Sequence, residues 1–196
     1  MKANLTTLAI VTCLAIGTCA YAQEGFIRPE LSYNYARISV ASPAGIKLRD
    51  EAGYGIASGA SFGAQNEQEL GLSVSLVDFK LYSKLAGTSI TGKIRTLPIL
   101  ANYRYYFSTK TDAVRFFLAP SAGFTSGRSD VSAFSGGTIT RTTSSGNDVT
   151  WGAGFGALVK VADKIDLNVS YRHIEFKESD AQLRVNTLSA GANIRF

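Results

Sequence analysis

From residue 26 to the C-terminus, apolar and polar side chains alternate with a period of two in eight separate stretches. That period puts one set of side chains on each face of an extended strand; a helix would repeat every 3.6 residues. The first stretch, 26–39, sets Ile27, Pro29, Leu31, Tyr33 and Tyr35 against Arg28, Glu30, Ser32 and Asn34. The same division recurs at 53–63, 69–81, 93–107, 113–125, 148–162, 164–176 and 183–196. In the sixth stretch Trp151, Ala153, Phe155, Ala157 and Val159 oppose Gly152, Gly154, Gly156 and Lys160. The phase blurs only around Asp78, where a bulge or the membrane rim is expected.

Strands of 11 to 15 residues exceed the about 9–11 that cross a bilayer at a tilt. Connections near 64–68, 108–112 and 162–163 are short, whereas those near 40–52, 82–92, 126–147 and 177–182 are mostly longer. An even strand count with alternating short and long connections predicts an all-β fold: an eight-stranded antiparallel transmembrane up-and-down β-barrel. Its short turns and both termini are expected on the periplasmic side.

A soluble eight-stranded barrel would also alternate, but with its apolar face turned inward. Here the polar face combines small residues with long ions: Arg28, Glu30, Arg104, Arg115, Lys160, Asp166, Arg172 and Arg195. Glycine and serine leave room for those side chains to pair across a narrow polar lumen, so the apolar face is expected to meet lipid. Aromatic placement agrees. Tyr33, Tyr35, Tyr54, Phe79, Phe124, Trp151 and Tyr171 fall toward the loop side. Phe26, Phe62, Tyr103, Tyr105, Phe107, Phe116 and Phe196 fall toward the turn side. Two girdles at headgroup level are expected.

The N-terminus changes the picture by adding a compartment. Lys2, an apolar run from Leu5 to Ile16 and Ala20-Tyr21-Ala22 read as a cleaved signal peptide, 1–22, followed by a barrel domain, 23–196. Cys13 and Cys19 both lie in that leader, so the mature chain is expected to have no disulfide, thiolate chemistry or cysteine metal site. Lipidation at Cys19 is disfavoured by Thr18 directly before it. The formal charge of +5 falls to +4 without Lys2 and is spread along the chain, which argues against a nucleic-acid partner. No cofactor is expected.

Several strings look familiar: Leu118-Ala119-Pro120-Ser121-Ala122-Gly123, Trp151-Gly152-Ala153-Gly154-Phe155-Gly156, Asp166 to Arg172, and Leu188 to Phe196. Together they resemble the eight-stranded outer-membrane barrel superfamily that includes the Ail/OmpX and OmpA-like proteins. The resemblance implies a bacterial outer-membrane location. It also implies that Ile194 and Phe196 carry a signal read by the barrel-assembly machinery.

Candidate chemistry is sparse. His173 is the sole histidine, and some related barrels are lipid A-modifying enzymes; the serine that such deacylases place two residues on is Glu175 here. A triad needs three convergent groups and one is visible, so no catalytic residue is expected. The inward ions suggest a plugged lumen, with a narrow anion-preferring channel as the alternative. The 126–147 connection holds six Ser, four Thr and four Gly, and reads as a flexible loop or a β-ribbon that binds a surface partner by strand addition. Lys47, Arg49, Lys84, Lys93, Arg128 and Arg141 lie in or near outer loops, where lipopolysaccharide phosphates would meet them. The expected function is a monomeric, non-enzymatic barrel with a structural or surface-interaction role.

Overall fold

A computed structural model describes residues 24–40, 47–85, 88–178 and 181–196. The proposed leader, with Cys13, Cys19 and Lys2, lies outside the described residues, as do 41–46, 86–87 and 179–180 of three connections. The strands are β1 (Glu24–Val40), β2 (Lys47–Arg49), β3 (Glu51–Phe62), β4 (Gln68–Leu85), β5 (Thr88–Tyr106), β6 (Val114–Ser135), β7 (Thr138–Ala162), β8 (Ile165–Glu178) and β9 (Ala181–Arg195). Among the described residues β2 pairs with β4 alone; from β3 to β9 neighbours in sequence pair antiparallel, and β1 pairs with both β3 and β9. Eight long strands therefore close into an up-and-down ring, as their alternation requires.

The short β2 is the upper part of the β3 strand, broken at Asp50: both pieces pair with β4. From Arg49 to Gly53 the chain takes four steps while β4 takes three, from Lys80 to Val77, so an extra residue is accommodated there. The irregularity expected near Asp78 thus sits on its partner strand, and β4 keeps its phase. A second one, between Lys160 and Ala162, ends the β7–β8 ladder at the short turn. The ring shuts through reciprocal bonds between Gly25 and Phe196, each backbone N–H donating to the other's carbonyl at 3.0 Å.

Parity decides the faces as the sequence indicates. Leu31, Ile56, Leu118, Phe124, Trp151, Phe155, Leu167 and Leu188 are exposed on the outside of the ring, while Arg28, Arg104, Asp166, Asn168 and Asn193 are buried within it. In water such an apolar wall would be untenable; in acyl chains it is the favoured surface. Two aromatics assigned to the girdles do not belong there. Phe79 is fully enclosed in the lumen and Phe26 is 4% exposed beneath Arg28, because each shares the inward parity of its strand.

Candidate functional site

The lumen is filled in two layers of different chemistry. In the periplasmic half, Arg28 and Glu69 form a buried ion pair at 2.7 Å. Arg104 crosses the ring to meet Glu30 at 3.5 Å and the Asn168 side-chain oxygen at 2.9 Å. Asn168 in turn donates to Glu30 at 3.1 Å. Arg195 pairs with Asp166 at 3.2 Å and with Glu24 at 3.6 Å, and Arg115 donates to the Asn66 backbone carbonyl. Aromatic rings fill the space between the ions: the Arg104 guanidinium lies 4.2 Å over Phe117 and that of Arg115 4.0 Å over Tyr106. Tyr106 and Phe117 pack edge to face, with Ala119 and Leu158 completing a buried cluster.

Of the eight lumen ions expected, Arg28, Glu30, Arg104, Arg115, Asp166 and Arg195 join this layer. Arg172 faces the space above it, beside Glu30. Lys160 does not join: its side chain is 40% exposed at the turn end and pairs with Asp163 at 3.6 Å. The β7–β8 ladder is running out there, so an inward parity no longer leads into the lumen. Glu69 was overlooked although the alternation of the third stretch places it on the face of Gly71 and Ser73.

Among the described residues the extracellular half of the lumen is not ionic. Ser170–Ser189, Asn34–Thr187 and Asn102–Ser73 hydroxyl and amide bonds, each 2.8 Å, form a middle zone. Above it Val77, Phe79, Leu100, Ile174, Phe176 and Val185 meet in an apolar cluster. The expected lumen of small residues and ions is thus corrected: inward positions near the outer rim carry large apolar side chains. Between the layers lies a cavity of about 30 Å³ lined by Glu30, Arg172, Ser75, Thr96 and Thr187 among others. That is room for one or two water molecules.

Above the outer girdle the wall turns charged. Asp78 on β4 receives Lys93 at 2.7 Å and Arg95 at 3.0 Å from β5, and Arg128 pairs with Asp130 on β6 at 3.2 Å. The Thr143 hydroxyl and Arg128 hold the Asp130 carboxyl below the usual carboxylate range. Of the six cations expected near lipid phosphates, Lys93 and Arg128 line one groove here, while Arg49 lines another. Lys84 and Arg141 sit exposed higher up, and the Lys47 side chain lies outside the described part. Arg95, in the same groove, was missed. His173, on the outer face of β8, bonds through Nδ1 to Asn186 at 2.8 Å and approaches Glu175 through Nε2 at 3.4 Å.

The 126–147 connection is a β-ribbon. β6 and β7 stay paired from Thr125–Asp148 to Ser135–Thr138 and turn at Gly136-Gly137. Both turn glycines have positive φ, +56° and +85°, the backbone that a two-residue hairpin turn demands. Ile194 and Phe196 are exposed on the outer wall at the periplasmic end.

A closed antiparallel ring with a lipid-compatible wall and a polar, side-chain-filled lumen defines a bacterial outer-membrane β-barrel. The chain belongs to the outer membrane protein β-barrel domain family, whose model matches residues 6–196. Its fold is similar to that of OprG from Pseudomonas aeruginosa, at 12% identity and a TM-score of 0.59 over 90% of this chain and 97% of that one. It is also similar to Ail, the attachment invasion locus protein of Yersinia pestis, at 15% identity and 0.51 over 88% and 100%. For Neisserial surface protein A the values are 20% and 0.50 over 88% and 97%. The protease OmpT from Escherichia coli shares the fold at 7% identity and a TM-score of 0.54. No curated protein sequence matches the chain.

Proposed function

We propose that this protein is a non-enzymatic surface-interaction barrel: the ring anchors it, and the β6–β7 ribbon presents an extended edge to a protein partner outside the cell. One observation carries the reading. β7 pairs with β8 only from Thr150 downward, whereas its pairing with β6 continues to Thr138. Residues 138–149 therefore have a β-neighbour on one side alone among the described pairings. Twelve residues at about 3.4 Å each give an edge of roughly 40 Å. Natural proteins usually protect such edges with proline, lysine or bulges; this one is mostly threonine, serine and glycine. An extended segment of a partner would add its backbone to this strand. Ail, with a similar fold, is named for attachment.

Excising residues 128–145 and rejoining the strands with a two-residue turn is the test. The barrel is expected to keep its heat-modifiable migration on gels while attachment to partner cells is lost. Undiminished attachment would overturn the proposal. The anion-channel alternative loses support from the apolar layer across the outer lumen, where a permeating ion would shed its hydration without compensation. Planar bilayers containing the purified protein are expected to stay silent; steady anion-selective openings would reinstate the channel. Lipid A modification is not favoured either, since His173 is bonded to Asn186 and Glu175 rather than to a hydroxyl nucleophile. The exposed Ile194 and Phe196 retain their proposed role as the assembly signal.

A further inference from the structure

Above the outer girdle, at the base of the ribbon, the β4–β5–β6 wall holds a groove of about 420 Å³ with two unlike ends. Leu76 and Leu97 line its lower end and belong to the lipid-facing set that continues down the same strands through Val74 and Ile99. Lys93, Arg95 and Arg128 line its upper end, their side chains 49%, 56% and 48% exposed. Cross-strand register stacks these cations: Asp78 stands beside Arg95 and Arg95 beside Arg128, while one step higher Lys80, Lys93 and Asp130 form the next row.

The local charges do not cancel. Three cations share two carboxylates, because Asp78 is divided between Lys93 and Arg95. Arg95 donates to Asp78 through Nε, a bond in which its two terminal amino groups take no part. A surplus positive charge, with guanidinium donors beyond those that meet Asp78, suits a phosphate. A free phosphate would have no use for the leucines below, which lie at the depth of the acyl chains. An amphiphile satisfies both ends at once.

The geometry points to a binding site for one phosphorylated lipid of the outer leaflet, with Lys93, Arg95 and Arg128 holding its headgroup phosphate and Leu76 and Leu97 its first methylenes. The site rests on the membrane placement of the barrel and not on the ribbon's edge. It makes the protein a fixed point for the surrounding lipid, neutralising a headgroup that otherwise repels its neighbours.

Native mass spectrometry of the full-length protein in detergent, titrated with diphosphoryl lipid A, tests this directly. One bound lipid per chain is expected to survive detergent removal. Near a membrane surface each basic side chain contributes about a fivefold affinity gain, so Lys93→Ala/Arg95→Ala is expected to weaken binding about thirtyfold and Arg128→Ala about fivefold. Dephosphorylated lipid A is expected to bind as weakly as the double variant does. Equal binding by that variant, equal binding of the dephosphorylated lipid, or displacement by inorganic phosphate at comparable concentration would each overturn the proposal. Arg95→Gln supplies the comparison should the double variant lose heat-modifiable folding. Because Lys93 and Arg95 lie on β5, their replacement leaves the β7 edge intact: lost lipid binding with retained attachment separates this site from the ribbon's function.

Discussion

Strands β6 and β7 pass through two environments, and their halves are built differently. From Val114 to Thr125 exposure alternates almost residue by residue, apolar outward and small, polar or, at Phe117, aromatic inward. Above Thr125 the same strands stay paired one to one, yet Thr138–Asn147 is exposed on both faces. The β6–β7 pairing is identical in the two halves; what covers the side chains is not. Lipid and lumen each claim one face of the lower half, which forces a strict alternation, whereas water accepts either face of the ribbon. The ladder itself is thus tolerant of sequence, and the pattern reports the surroundings.

Breaking the contrast should have its largest effect in the lumen. Glu69→Ala leaves Arg28 buried without its partner and is expected to cost about 3–5 kcal/mol in urea unfolding of the reconstituted barrel. Arg28→Met/Glu69→Leu, which removes both charges, is expected to cost far less. Equal losses for the two variants would show that the pair matters through volume and not through charge.

A matched pair of glycine changes sharpens the comparison at smaller amplitude. At Gly156 a Cβ would overlap the Val169 carbonyl and come within 2.7 Å of the Phe117 ring. Gly156→Ala is therefore expected to cost about 1–3 kcal/mol through overpacking. At Gly137 open space surrounds the added carbon, and only the positive φ is strained. Gly137→Ala is expected to raise hydrogen exchange at the ribbon tip and leave barrel unfolding unchanged. Any common shift in barrel stability would mean that ribbon and ring are coupled.

The smallest expected effect is a titration. The Asp130 carboxyl is held down by Thr143 and Arg128, so its contribution to ribbon pairing is complete above the ordinary carboxylate pKa of about 3.9 and vanishes as pH falls through the lower folded-state value. Carbon-13 titration should place its midpoint below the ordinary value of about 3.9. A midpoint at or above 3.9 would remove Asp130 from the ribbon's cross-strand contacts.

The alternation of apolar and polar residues determined the strand count, the antiparallel ring and the lipid-facing wall, because a two-residue period is a local property that each strand expresses alone. Six of the eight ions on its inward face, Arg28, Glu30, Arg104, Arg115, Asp166 and Arg195, lie in the ionic layer. Phe26 and Phe79 lie inside, as the parity of their strands requires, instead of in the girdles, and Lys160 lies outside because its strand ends at a bulge. Only the tertiary structure decided which charges meet. Arg28 finds Glu69 two strands away, and Arg104 reaches Glu30 and Asn168 across the ring, 74 and 64 residues distant in sequence. The headgroup groove likewise needs three strands in one particular register. Such contacts depend on how the closed sheet is staggered and how wide its lumen is, and no single strand carries that information.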